Sequence, residues 1–393
     1  MISAEALKAF SGFGTPFYYY DVDVLEKTLS AYASMTAKYG FSAHYAVKAN
    51  CNAPILNIIR KAGLGADCVS GNEVTMALKQ GFEPSRIVFA GVGKTDREIR
   101  EALEAGIFCF NCESLQELSV IDSISCSLGV KARFALRMNP NIDAHTLNFI
   151  STGRNRDKFG FTEKMLPDFF ALLPNLKSCE FIGLHFHIGS QITDMQCFKL
   201  LCEKAGAAVR NFAARGIRVA DLNLGGGLGV DYENPEIHAI PDFEPYFRTL
   251  KAALKLPEGV KVHLEPGRSI VAQCGYLITR VLFVKDNGDR RFAIVDAGMN
   301  NLIRPALYGA HHTIVNLSSY GPCGKYDVVG PVCETSDKFA EDAVLPECGR
   351  GDFLAICSAG AYGEVMEMKY NLRDFAKAYY SDRLKEYKSN FEK

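Results

Sequence analysis

The chain has 393 residues, 48% of them hydrophobic and 23% charged, with a formal net charge of −1. That length allows one large domain plus a smaller one, and the balanced charge excludes the basic footprint of a nucleic-acid binder or an anionic-membrane binder, leaving a small polar molecule as the expected partner. MISAEALKAF has no export-signal pattern and no apolar run approaches a membrane span, so we expect a cytoplasmic protein whose thirteen cysteines stay reduced.

In chain order, PFYYYD (16–21) reads as a strand able to join a later sheet, and 23–38 as a helix. From residue 41 short apolar runs alternate with segments of helical period. The runs are SAHYAV (42–47), LGADCV (64–69), IVFA (87–90), IFCF (107–110), KARFALRM (131–138), FIGLHFHI (181–188), DLNLG (221–225) and VKVHLE (260–265). Spacers such as APILNIIRKAG (53–63) and SGNEVTMALKQG (70–81) are amphipathic and end on Gly, as a helix C-cap would. Eight strand–helix units predict a (β/α)8, TIM-like barrel over residues 23–270. Beyond it, 276–284, 290–297, 313–319, 326–332 and 352–359 read as strands without intervening helices. Together with residues 1–22 they predict a second, sheet-rich β domain spanning 271–393, with a frayed helix at 383–393.

The polar residues gather where a barrel keeps its chemistry, at the carboxyl ends of the strands. Lys48, in HYAVKAN, follows the first strand; it either snorkels to water or is a desolvated amine able to form a Schiff base. Asp67 lies in the second strand and His187 ends the sixth, with Ser190 beyond it. His185 and His187 share a strand face and suit a metal, a structural pair or a ring stacked on a flat cofactor. Metal is disfavoured, because no further ligands are evident. Gly225, Gly226 and Gly227 in LNLGGGLG form either a tight turn or an anion nest. In EPGR, Gly267 and Arg268 suit phosphate or carboxylate. Glu265 beside a phosphate needs something cationic between them, which the protonated ring nitrogen of pyridoxal phosphate would supply. Cys109 and Cys112, in CFNC, have no second pair at zinc spacing and read as core thiols.

Taken together, YAVKAN, HFHIGSQ, LNLGGGLG, EPGRS, GPVCETSD and SAGAYGE resemble the fold-type III pyridoxal-phosphate decarboxylases over nearly the whole chain. GTPFYYYD, GADCVSG, ISTG followed by KFG, DAGMNNLIRPALYG and CET resemble the diaminopimelate branch of that family, whereas its ornithine and arginine branches usually carry Asp after the Cys. The resemblance implies decarboxylation of meso-2,6-diaminopimelate to L-lysine and CO2, with pyridoxal 5'-phosphate as cofactor and no metal. Lys48 would hold the cofactor, His187 would stack on its ring and Glu265 would pair with the ring nitrogen. Asp67 would belong to the cofactor pocket. Ser190, the glycines 225–227, Gly267 and Tyr362 would hold the phosphate, with Arg268 reaching phosphate or substrate carboxylate. Arg304, Tyr308, Glu334 and Tyr362 would bind substrate, and Cys333 would protonate the carbanion. In the family the Cys333–Glu334 segment completes the site of the other subunit of a homodimer.

Three departures from the usual pattern affect positioning: TLNFISTG for THPYISTG, Asn301 where Asp is common, and MEMKYN for a Ser-Ser-Asn-Tyr-Asn run. A basic-amino-acid decarboxylase is the nearest rival, and its distal cation would face Arg304. A non-catalytic homologue would be expected to lack Lys48 or Cys333, and a racemase-like enzyme would lack the CET and IRPALY elements.

Overall fold

The computed structural model describes residues 2–143 and 157–391, so TLNF at 146–149 lies outside the described residues. Sixteen strands follow in chain order: β1 Phe17–Tyr20, β2 Phe41–Ala46, β3 Gly65–Cys68, β4 Ile87–Phe89, β5 Cys109–Cys112, β6 Ala132–Arg137, β7 Cys179–His185, β8 Asp221–Asn223, β9 Lys261–Leu264, β10 Gly275–Asp286, β11 Arg291–Val295, β12 Ile314–Asn316, β13 Cys323–Val329, β14 Lys338–Pro346, β15 Phe353–Ile356 and β16 Lys377–Tyr380. The chain forms two compact units, one of residues 29–229 and 242–267, the other of 1–28, 230–241 and 268–393.

In the first unit β2 to β9 close a parallel barrel, each strand pairing with the next and β9 returning to β2. All eight apolar runs become barrel strands. They read as short continuous runs because parallel strands are covered on both faces. The connecting helices start and stop on local signals. Ser70 caps Gly71–Lys79 by accepting from the Glu73 N–H, Thr95 and Glu98 form a reciprocal capping box on Asp96–Ala105, and Gly106 ends that helix at φ 69°. CFNC is the whole of β5, with both thiols buried.

The second unit is an eight-stranded sheet with a central path β12-β15-β10-β11-β13-β14. PFYYYD joins it through β1, antiparallel to β10 and parallel to β16. Phe17 and Tyr19 face a core of Phe10, Phe13 and Tyr379, where the Phe13 and Tyr379 rings stack at 3.9 Å. Each such buried aromatic contributes roughly 1.5–3 kcal/mol, which anchors a four-residue strand too short to hold itself. The five strand runs expected after residue 270 are all present. The sheet holds two more, β14 and β16.

Gly183, within β7, has no room for a side chain, since a Cβ there would lie 1.8 Å from the Asp221 carbonyl oxygen. Gly216, in a turn at φ 73°, has nothing within 4 Å of that position. Gly183→Ala should therefore cost about 3 kcal/mol or more, by prising β7 from β8, whereas Gly216→Ala should cost only about 1 kcal/mol of backbone strain. Denaturant midpoints of the two variants check the contrast.

Candidate active site

Three strands of the barrel unit converge on one carboxylate. Glu265 directly follows β9 and is buried; its Oε1 accepts from Asn223 Nδ2 at 2.8 Å and from Asn111 Nδ2 at 3.4 Å, and its Oε2 lies 3.2 Å from His185 Nε2. Burial alone would push this carboxyl up, but His185 foremost, then Lys48 and His187, hold it well below the usual carboxylate range. Its backbone N–H donates to the Gly225 carbonyl, and the Pro266 carbonyl accepts from Ala46, tying the turn after β9 to the ends of β8 and β2.

Lys48 lies on the 3-10 turn Val47–Ala49, at the end of β2, and its Nζ is 2.6 Å from Asp67 Oδ2. The Lys48 side chain is 31% exposed while Asp67 is buried. The Asp67 carboxyl is raised to about 7, by burial first and by the Glu265 charge second, against the opposing pull of Lys48. Its Oδ1 has no hydrogen-bond partner among the described residues. Burial, then the charges of Arg137 and Lys48, lowers the ring of His187 to about 3. At neutral pH this imidazole is uncharged, and its Nδ1 accepts from the Gly226 N–H at 3.2 Å. Arg137 is itself gripped by Glu113 at 2.6 Å, whose second oxygen accepts from Gly160 in KFG.

The glycine run answers to its own backbone as well as to any ligand. A Cβ on Gly225, at φ 71°, would lie 2.4 Å from the Phe186 carbonyl oxygen, and one on Gly226 would lie 2.0 Å from that of Glu265. Both glycines are needed for the loop to lie against β7 and the Glu265 turn. Ser190 lies half-buried in the loop after β7, and Gly267 is buried in the turn after Glu265.

A second polar cluster occupies the sheet unit. Arg268 donates from Nη1 to Tyr232 Oη at 2.6 Å and lies over the Tyr362 ring at 4.8 Å. Arg304 lies over the Tyr232 ring at 5.0 Å and donates to His312 Nε2 at 2.8 Å. The Cys357 carbonyl oxygen accepts from His312 Nδ1, which leaves Nε2 as acceptor and keeps the ring neutral; burial, then Arg304, lowers it to about 3. Burial would raise the Tyr232 hydroxyl, but the two guanidiniums pull it below its ordinary value. Arg304 is only 5% exposed and pairs with no carboxylate among the described residues. Tyr308 ends the short helix that Arg304 begins, and Tyr362 adopts a left-handed φ of 56°.

Cys333 and Glu334 are exposed on the loop after β13. The Cys333 N–H donates to Asn371 Oδ1 at 3.3 Å, and the hydroxyl of Tyr370 bonds to Glu334. Two of the departures noted above meet here. Asn301 donates from Nδ2 to Glu367 of MEMKYN at 2.8 Å, and burial raises that carboxyl to about 7. The carboxylate expected at 301 is supplied from 367, across the same contact.

Among the residues expected from sequence, the barrel brings together Lys48, Asp67, His187, Glu265 and the glycines, and the sheet unit brings together Arg268, Arg304 and Tyr362. Asn111, Asn223, Arg137, Tyr232 and His312 were not anticipated. A polar residue inside an apolar strand run, as in CFNC and LNLG, was the available signal for the two asparagines.

A parallel barrel with an amine, an ionised carboxylate, a neutral imidazole and a glycine loop at the carboxyl ends of its strands fits a pyridoxal-phosphate enzyme, and residues 23–272 match the family described as pyridoxal-dependent decarboxylase, pyridoxal binding domain. Diaminopimelate decarboxylase of Bacteroides thetaiotaomicron is 50% identical over 94% of this chain and 96% of its own. The crystal structure of diaminopimelate decarboxylase from Helicobacter pylori, complexed with L-lysine, covers 98% of this chain and 99% of its own with a TM-score of 0.90 at 40% identity. Lysine/ornithine decarboxylase from Vibrio vulnificus shares the fold, with a TM-score of 0.82 at 21% identity. The chain belongs to the diaminopimelate decarboxylase family of pyridoxal-dependent decarboxylases.

A carboxyl raised to about 7 binds its proton more tightly when folded than when unfolded, so the stability it contributes is present at low pH and is lost as pH rises toward and through 7. In the cofactor-free protein, Asp67→Asn should flatten this component. The parent should lose a few degrees of Tm relative to the variant between about pH 5 and about pH 8. Identical pH slopes would mean that Asp67 is not held protonated by its surroundings.

Proposed function

We propose that the chain decarboxylates meso-2,6-diaminopimelate at its D centre, releasing CO2 and L-lysine. The observation that carries this reading is Arg304. A buried guanidinium without a carboxylate partner is costly unless a ligand supplies one, and diaminopimelate differs from lysine by one carboxylate. The names of the relatives, and the L-lysine in the Helicobacter pylori complex, support the same chemistry.

In this reading the barrel residues bind pyridoxal phosphate, which when bound supplies the electron sink for the pair left behind by CO2. Lys48, whose Nζ donates to Asp67 Oδ2 at 2.6 Å, is the amine that would hold the cofactor. The ionised Glu265 holds a proton on the ring nitrogen, and the neutral His187 offers a flat, uncharged face for stacking. Gly227 and Gly267, with Ser190 and Tyr362, would take the phosphate, since the Gly225 and Gly226 N–H groups already donate to Asn223 Oδ1 and His187 Nδ1. Arg268 faces phosphate or the reacting carboxylate. Arg304 takes the distal carboxylate in a two-point charge-assisted contact, Glu334 takes the distal ammonium, and Tyr308 borders the same end. Cys333 donates the proton that replaces CO2. Asn371 and Tyr370 steady the Cys333–Glu334 loop, which is exposed in its own unit and suits a homodimer whose subunits complete each other's sites.

Loss of a hydrogen-bonded charge partner costs about 2–5 kcal/mol, so Arg304→Lys and Glu334→Gln should each lower kcat/KM on meso-diaminopimelate roughly 30-fold to several thousand-fold. Lysine does not rescue, because a point charge cannot reproduce the guanidinium fork. CO2 release is measured on a panel of meso-diaminopimelate, L-ornithine, L-arginine and L-lysine. Activity of both variants within about threefold of the parent, under about 0.65 kcal/mol, or a parent preference for ornithine or arginine, would overturn the substrate assignment.

Mixing inactive Lys48→Ala and Cys333→Ala chains should restore up to about a quarter of parental activity, because random re-pairing makes half the dimers mixed, each with one intact site. No recovery after verified subunit exchange would mean that each chain builds its own site.

A further inference from the structure

Glu265 is held by three donors, of which two are amides. The third, His185, is 1% exposed, and its Nδ1 has no hydrogen-bond partner among the described residues. This asymmetry assigns the ring's proton. Nδ1 has no acceptor, so a doubly protonated ring would bury a cationic N–H with nothing to receive it. A ring protonated on Nδ1 alone would aim a lone pair at a carboxylate 3.2 Å away. The neutral ring with hydrogen on Nε2 avoids both. Asn223 is assigned with equal firmness, since its Oδ1 accepts from the Gly225 N–H and its Nδ2 must therefore face Glu265.

The consequence is that the three groups bonded directly to Glu265 are neutral dipoles, which solvate its charge without cancelling it. A cation bonded directly to the carboxylate would satisfy it; neutral donors leave it able to hold a further proton-bearing group. His185 ends β7 and His187 follows two residues later in the loop, so the end of β7 sets both the donor to Glu265 and the imidazole expected against the cofactor ring.

We propose that His185 is a positioning residue for recognition of the cofactor's ring nitrogen: as a neutral Nε2–H donor it fixes the orientation and the charge of Glu265, and the preference for a protonatable ring depends on it. The proposal rests on Glu265 being the ring-nitrogen partner, and its test separates the two. Apoenzyme is titrated with pyridoxal 5'-phosphate and with the analogue in which a C–H replaces the ring nitrogen, and the ratio of the two dissociation constants is the readout. A merely structural defect weakens both ligands alike and leaves the ratio unchanged.

Parental enzyme should prefer the nitrogen-containing cofactor by about tenfold or more, as loss of a hydrogen bond to a charged group implies. His185→Leu should reduce that preference to within about threefold, and His185→Gln, which keeps an N–H on a side chain of similar reach, should retain most of it. Where the leucine variant does not fold, His185→Asn, whose amide is too short to reach Oε2, is read in the same way. A preference retained in His185→Leu or His185→Asn overturns the role of His185 alone. A parent without any preference overturns the assignment of Glu265 and the proposal with it.

Discussion

A buried negative charge governs the barrel unit. An ionised carboxylate removed from water is tolerated only when hydrogen bonds replace its hydration, and Glu265 gathers them from β5, β7 and β8 while it sits at the end of β9. Four strands must therefore be in register at their carboxyl ends before the charge is accommodated. The same turn bonds through backbone to Gly225 and Ala46, so the carboxylate, the glycine loop and the first strand form one assembly. Asp67 shows the cost of a second carboxylate in this field. With Lys48 beside it the group is still raised to about 7.

The sheet unit poses the opposite problem. Arg268 and Arg304 both lie against the Tyr232 ring, and among the described residues Arg304 is met by a neutral His312 and by the ring and hydroxyl of Tyr232. Tyrosine and a neutral imidazole can solvate a guanidinium without neutralising it. Each unit holds a charge that its own residues solvate and do not cancel.

Local departures from the family pattern are absorbed by contact pairs. The carboxylate missing at 301 reappears at 367 and meets the Asn301 amide at 2.8 Å, so the segment that leads from Tyr362 to Asn371 stays fastened to the Leu302–Arg304 turn. The identity of either residue alone reads as an anomaly. The pair is one amide–carboxylate contact, with the carboxylate on residue 367.

The amino-acid sequence by itself determined the eight barrel strands, the sheet-rich second half and the places of Lys48, His187, Glu265 and the glycine run, because each depends on local pattern: apolar run length, helix caps, and polar residues at strand ends. Two strands escaped it for a physical reason. β14 is exposed along much of its length and alternates poorly, and β16 is four residues whose strand character comes from pairing with β1, some 360 positions away in the chain. Only the tertiary structure decided which donors surround Glu265, since Asn111, His185 and Asn223 come from three different strands, and which rings face the arginines, since Tyr232 lies in the 230–241 segment that packs with the sheet unit although barrel residues flank it in sequence. Charge solvation is a property of side chains brought together from distant positions, and no local pattern encodes it.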